Sequence, residues 1–235
     1  MLTVAILAGG LATRLQPILK DTPKSMIDIC GKPFIDWQLR LLSESGVKKV
    51  VLCTSYKSEI IEEYVGNGSK YGIAVNYSKD GPTQQGTGGA IKKATEILEE
   101  KFMVLYGDSY LPINYNTVQN AFQELNESAL MTIYKNNNEF DRSNVSFESG
   151  KVKKYSKTCN SNEFQHIDYG LSIFKKSVFD NYILNENFDL SDIFSALCKE
   201  SKLAAFEVKE RFYEVGSVSG IRDFSDYLNG SKNVL

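Results

Sequence analysis

Leu2 to Ala8 forms an apolar run that stops at Gly9-Gly10, the pattern of a strand buried on both faces and followed by a tight backbone turn. Downstream, Pro33 in GKPF fits the first turn of a helix, Ile35, Leu39 and Leu42 recur at helical spacing, and Gly46 follows as a stop. Lys49 to Thr54 (KVVLCT) reads as a second buried strand, residues 59–65 as a helix leading to Gly66, and Ile73 to Ser78 (IAVNYS) as a third strand. A helix from about Gly88 to Glu100 and a fourth strand from Phe102 to Tyr106, ending at Gly107-Asp108, continue the alternation and predict a doubly wound α/β half. From Leu130 to Ser156 the texture changes to strand-like pieces, LMTIYK, NVSFES and VKKYS, separated by the polar loop NNNEFDRSN and by Gly150. These predict antiparallel additions to one continuous sheet, after which helical and strand signals mix.

The chain has 235 residues, enough for one large domain. It reads as a single domain over 1–235, with a boundary near 130 between a nucleotide-type half (1–130) and a half for a second substrate (131–235). Hydrophobic residues at 42% and charged residues at 24% exclude a disordered chain or a membrane channel. Lys and Arg number 27 against 29 Asp and Glu, so the basic footprint of a nucleic-acid binder is missing. No segment reaches about 18 apolar residues and the start lacks a basic leader, so no membrane association and a cytoplasmic location are expected; a homo-oligomer is left open. Cys30, Cys53, Cys159 and Cys198 are far apart and read as reduced thiols. His166 is the only histidine, which excludes HExxH sites and leaves oxygen ligands for any metal.

GGLATRLQPILKDTPK sets two glycines, Thr13, Arg14 and Lys24 directly after the first strand, where open α/β sheets bind ligands. Glycines let backbone N–H groups approach an anion, and Arg14 and Lys24 offer a planar fork and a point charge to phosphate oxygens. The segment has neither GxxxxGK[ST] nor GxGxxG spacing, so it is neither a P-loop nor a dinucleotide fingerprint. It resembles the first motif of the sugar-phosphate nucleotidyltransferases, G-x-G-T-R-L-x-P-(x)-T-P-K, through Gly9, Gly10, Thr13, Arg14, Leu15, Pro17, Thr22, Pro23 and Lys24, with Ala12 where the family most often has Gly. The resemblance implies a Rossmann-like, doubly wound mixed α/β sheet of the nucleotide-diphospho-sugar transferase type, in three α/β/α layers. It also implies that Leu7, Ala8, Gly9, Gly10, Thr13 and Arg14 bind the nucleotide, and that Arg14 and Lys24 act on the reacting phosphates.

The remaining motifs extend the resemblance. DGPTQQGTGGAIKKA places a Gly-rich turn before a helix, and Gly86, Thr87, Gly88, Gly89 and Ala90 match a family element in which small residues let base and ribose lie against the backbone. Gln84 and Gln85 are candidates for reading the base, because an amide both donates and accepts. Asp108, after the fourth strand, corresponds to the carboxylate that holds a catalytic Mg²⁺, and Glu214 in YEVGS stands where the family usually has Asp as a second metal ligand. Lys157 matches the lysine that binds the sugar phosphate, though Ser156 replaces the usual Glu. Asp168 and Gly170 in HIDYG match a strand that contacts sugar hydroxyls and opens space for the ring.

The activity implied is transfer of a nucleotidyl group from an NTP to a sugar 1-phosphate with release of pyrophosphate. GTGGA leans toward heptose 1-phosphate guanylyltransferases, with amino-sugar uridylyltransferases close by. Two other readings stay open: a cytidylyl- or uridylyltransferase for a non-sugar phosphate, and a regulatory subunit that binds nucleotide-sugar without turnover.

Overall fold

The computed structural model describes residues 1–10, 15, 22–55, 57–81, 85–125, 127–158, 161–184 and 186–232. Strand β1, Thr3–Leu7, sends Val4 and Ile6 into one apolar cluster and Ala5 into another. With both faces covered, no polar position is called for within it, which is why its sequence runs apolar rather than alternating. It pairs in parallel with β4, Lys49–Thr54, and with β6, Lys101–Tyr106, while β4 pairs in parallel with β5, Ala74–Lys79.

Helices cover both faces of this sheet, as the three-layer expectation requires. α1 (Phe34–Glu44), α2 (Ser58–Val65) and α4 (Tyr115–Glu124) bury apolar side chains in the cluster beneath Val4 and Ile6. α3 (Gly86–Ala94) and α5 (Leu190–Lys199) pack on the opposite face, beside Ala5. Pro33 sits one residue ahead of the first turn of α1, at φ −58° and ψ 146°, and Gly46 at φ 87° follows its end. α3 is shorter than the expected helix to Glu100. The hydroxyl of Thr95 bonds the Lys92 carbonyl at 2.6 Å, and residues 95–98 continue as turns.

The second half extends the same sheet with β8 (Ala129–Lys135), β9 (Val145–Glu148), β10 (Lys151–Tyr155), β11 (His166–Lys175) and β12 (Leu203–Val208), in the order β5-β4-β1-β6-β11-β8-β12-β10-β9. The additions are mixed rather than all antiparallel, because β12 runs parallel to β8. β11 is antiparallel to both β6 and β8, and two reversals restore the direction of β1. The carboxyl ends of β1, β6, β8 and β12 therefore share one edge with the amino end of β11.

Two small ribbons complete this edge. β2 (Asp28–Ile29) pairs with β3 (Lys32–Pro33), and β7 (Ser109–Tyr110) pairs with β13 (Tyr213–Glu214). The second ribbon is held from behind by α6, Val218–Lys232: Phe224 lies 4.7 Å from the Tyr110 ring, and Tyr227 stacks on Tyr213 at 4.4 Å. Among the described residues, no helix is long and apolar enough to cross a membrane.

Candidate active site

The shared edge opens into a cleft of about 660 Å³. On its floor Gly107 follows β6 directly, and a Cβ there would press on the Leu7 carbonyl oxygen, so only glycine lets this turn lie against β1 and carry Asp108 out over the edge. Gln38 of α1, 1% exposed, donates to the carbonyls of Tyr106 (3.0 Å) and Ser109 (2.8 Å) and so pins the turn on both sides. Across the ribbon Glu214 faces Ser109, and the Val215 N–H bonds the Asp108 carbonyl at 2.9 Å. Two acids far apart in sequence thus meet through one two-residue pairing. The Lys24 ammonium, from the 3₁₀ turn Lys24–Met26, pairs with the Asp108 carboxylate and lies against Gly216, where a Cβ would stand 3.2 Å from its Nζ.

The electrostatics of this trio are unbalanced. Burial pushes the Glu214 carboxyl up to about 8, the charges of Asp108 and Asp141 push it the same way, and Lys24 opposes them. A carboxyl raised above its ordinary 4.5 costs stability as the pH climbs, because between 4.5 and about 8 the unfolded chain gives up a proton that the fold keeps. Glu214→Gln is therefore expected to stabilise the metal-free protein, by little near pH 4.5 and by about 1–3 kcal/mol at pH 8. Urea unfolding at the two pH values measures this; equal stability of the two proteins at pH 8 would place Glu214 in a solvated setting instead.

The same cleft is lined by Asp168 and Lys157. Asp168, 8% exposed, accepts from the Tyr106 hydroxyl at 2.9 Å and from the Gly170 N–H at 3.1 Å, while its own N–H bonds Asn144 Oδ1 at 2.9 Å. Burial raises its carboxyl to about 6, against the pull of Tyr106, Gly170 and the Lys157 charge. Gly170, at φ 103° in an irregularity of the β11–β8 pairing, makes this geometry possible. Gly170 is not among the residues that line the cleft, and a Cβ there would meet Ser109 and the Tyr106 ring.

The glycines of the GTGGA turn also serve a packing role. Cβ atoms at Gly86, Gly88 and Gly89 would run into residues 186–189, above all Phe188. The N–H groups of Gly88 and Gly89 bond the Phe188 carbonyl (2.9 and 3.2 Å), and the Thr87 N–H bonds Asp189 at 3.1 Å. The N-terminus of α3 is thus occupied by protein groups and is not a free anion cradle. Beside it lies a second cavity of about 190 Å³, lined in part by Gly9, Gly10, Gly86 and Thr87. Gly9 is packed on Ser55, whose hydroxyl bonds its carbonyl at 2.7 Å, whereas a Cβ at Gly10 would meet nothing within 4 Å.

Of the residues expected from sequence, the main cleft gathers Leu7, Ala8, Gly10, Lys24, Thr87, Asp108, Lys157, Asp168 and Glu214. Gln85 is 3% exposed and Gly88 is buried, and neither lines either cavity. Thr13, Arg14 and Gln84 lie outside the described residues. The cleft is also lined by Asp141, Arg142 and Asn144, from the polar loop NNNEFDRSN, for which the sequence pattern predicts no role. Their signal was positional, since their loop follows a strand running in the direction of β1. Among the described residues no cluster of three or more His, Cys, Asp and Glu is gathered for a metal. Asp108 and Glu214, brought together across the ribbon, are a pair of oxygen donors of the kind that one hard divalent ion accepts while keeping waters.

A doubly wound sheet whose carboxyl edge sets a glycine turn beside a lysine and two carboxylates defines an α/β enzyme for phosphate chemistry. The chain belongs to the nucleotidyl transferase family, whose model matches residues 3–230, and it is an enzyme of the sugar-1-phosphate nucleotidyltransferase class. It is similar to the D-glycero-alpha-D-manno-heptose 1-phosphate guanylyltransferase of Campylobacter jejuni, 33% identical over 221 residues that span 90% of this chain and 93% of the relative. The guanylyltransferase of the same description from Aneurinibacillus thermoaerophilus is 30% identical over 214 residues, 90% of this chain and 91% of the relative. The crystal structure of HddC from Yersinia pseudotuberculosis, solved also complexed with GMP-PN, superposes with a TM-score of 0.80 at 26% identity over 97% of this chain and 100% of that one.

Proposed function

We propose that the enzyme transfers guanylyl from GTP to a heptose 1-phosphate. The observation that carries the reaction is the meeting of Lys24, Asp108 and Glu214 in a cleft that Lys157 and Asp168 also line. The base and the acceptor rest on the similarity to the two heptose 1-phosphate guanylyltransferases, each aligned over nine-tenths of this chain. In this reading residues 1–130 hold the nucleotide and 131–235 the sugar phosphate, within one domain.

An acceptor phosphate oxygen attacks the α-phosphorus of GTP, the bond from that phosphorus to the bridging oxygen of the β-phosphate breaks, and pyrophosphate leaves with the electron pair. No general base is required, because the attacking phosphate is already anionic. Lys24, with Arg14 from the first motif, neutralises charge on the α-phosphate as the bond breaks. Asp108 and Glu214 would hold Mg²⁺, which when bound would offset the negative charge of the two substrates' phosphates. Lys157 and Arg142 take the phosphate of the acceptor, and Asp168 accepts hydrogen bonds from its hydroxyls. One phosphoanhydride replaces another, so the step is close to thermoneutral and reversible.

The test is pyrophosphate release with Mg²⁺ across GTP, UTP, CTP, dTTP and ATP, each crossed with heptose, mannose, glucose and muramate-type sugar 1-phosphates and a few non-sugar phosphates. GTP with a heptose 1-phosphate is expected to give the highest kcat/KM. A higher value for UTP with an amino-sugar phosphate would replace the guanylyl reading, and nucleotide binding without turnover under every pairing would replace the enzymatic one.

A further inference from the structure

Because β12 runs parallel to β8, the loops that follow these two strands leave the sheet at the same edge. The first, residues 136–144, brings Asp141, Arg142 and Asn144 to the cleft, and the second leads through Arg211 into β13 and Glu214. The first loop is stiff within itself. Asn136, fully buried, donates to the Asp141 carbonyl (2.6 Å) and the Ser143 hydroxyl (3.1 Å) and accepts from the Phe140 N–H (3.2 Å), while the Ser143 N–H bonds Asn138 Oδ1 at 2.8 Å. Both ends of the loop are tied to the amino end of β11, the Asn136 N–H to the Gln165 carbonyl (3.0 Å) and the Asn144 N–H to the His166 carbonyl (2.9 Å). At the middle of the loop stands Phe140, and the Arg211 guanidinium carbon lies 4.1 Å from its ring centre and 5.0 Å from that of Tyr213. The Arg211 Nη2 pairs with Asp223 of α6. One side chain thus touches the loop, the strand that carries Glu214 and the helix behind that strand. For packing alone a guanidinium is an unfavourable choice, since its Nε is buried and finds no acceptor among the described residues. A planar cation suits a place where two rings and a carboxylate are met at once.

We propose that Arg211 is a positioning residue for the acceptor, a clasp that fixes the loop carrying Arg142 against the ribbon carrying Glu214. The assignment rests on the reading above in which Arg142 takes the acceptor phosphate, and it names what holds that contact in place. With the clasp closed, the loop is set before the acceptor arrives. Without it the acceptor must order the loop as it binds, and its apparent affinity falls by the fraction of time the loop is correctly placed. Once bound, the acceptor holds the loop itself through Arg142, so the saturated enzyme turns over at nearly its normal rate. GTP, held by the first half of the chain, does not register the change.

Arg211→Met keeps an unbranched apolar stem and removes the cation. A cation over an aromatic face is worth a factor of about 2 to 30 in an equilibrium. The variant is therefore expected to raise the acceptor KM about tenfold, with kcat within about twofold of wild type and the GTP affinity read by calorimetry unchanged. A variant that is partly unfolded gives the opposite split, a lower kcat at an unchanged KM. Phe140→Leu leaves an apolar side chain against Phe212, whose ring meets Phe140 edge-on at 6.0 Å, and is expected to raise the acceptor KM in the same way. Because both substitutions open one contact, the double variant should be no worse than the more affected single one. An acceptor KM for Arg211→Met within about threefold of wild type, a loss confined to kcat, or single effects that multiply in the double variant overturns the clasp. The nucleotide and acceptor used are the pair that gives the wild-type enzyme its highest kcat/KM. A pair other than GTP and a heptose 1-phosphate thus revises the proposed function in the wild-type measurement alone, and the clasp is judged separately on the variants.

Discussion

Asp108→Asn is expected to lower turnover by about a hundredfold or more and to leave the fold in place. The amide has the shape of the carboxylate, and the structure around position 108 is held by the backbone rather than by the side chain. Gly107 seats the turn on β1, Gln38 grips the carbonyls on either side, and the Val215 N–H bonds the carbonyl of residue 108 itself. The charge is what the substitution removes. Without it the Lys24 ammonium loses its partner and the oxygen set for a divalent ion falls to Glu214 on that side of the cleft. Steady-state kcat at saturating GTP and acceptor, with the thermal midpoint as a control, measures the effect. A kcat within threefold of wild type would remove Asp108 from the reacting centre.

Lys24→Ala is expected to cost about 10²–10³ in kcat, with a KM for GTP that rises less than tenfold. The asymmetry follows from where the charge acts. In the proposed reaction the Gly10 turn, which lines the cleft, contributes to ground-state binding of the triphosphate, whereas the charge that builds on the α-phosphate during bond exchange needs a cation close to it. The same substitution removes a cation that holds the Glu214 carboxyl down, so the metal-free variant should lose more stability than the wild-type protein as the pH rises toward 8. Lys24→Arg is not expected to restore the rate, since the planar fork is larger than an ammonium already close to the Gly216 position. A KM effect that exceeds the kcat effect would make Lys24 a binding residue only.

Sequence pattern alone revealed the first half of this molecule because its signals are local. The run Leu2–Ala8 is apolar because β1 is buried on both faces, and KVVLCT and FMVLY share that cause. The second half is organised by long-range pairing, and its strand directions depend on partners that no local pattern reveals. β12 running parallel to β8 is the plainest case, and it is this pairing that brings Glu214 back to the edge where Asp108 stands. α4 lies outside the helices that the sequence pattern predicts; its cap is Asn114, whose side chain accepts from the Thr117 N–H at 3.2 Å.

The site divides in the same way. Lys24, Asp108 and Glu214 were legible as chemistry, and the structure adds the ribbon, the glycine and the glutamine that bring them together. The glycines at 86, 88 and 89 were legible as small residues in a meaningful place, but the group that demands their smallness is Phe188 and its neighbours, a hundred or so positions away.

Nucleotidyl transfer is defined by which phosphorus atoms become joined. Phosphorus NMR of the wild-type enzyme with GTP, Mg²⁺ and D-glycero-α-D-manno-heptose 1-phosphate reads the bond that forms and the bond that breaks in one sample. The predicted result is a new diphosphate that couples the acceptor phosphorus to the former α-phosphorus, with pyrophosphate appearing in equal amount. Release of inorganic phosphate with GDP, or an acceptor that gains the γ-phosphate, would contradict nucleotidyl transfer at this cleft.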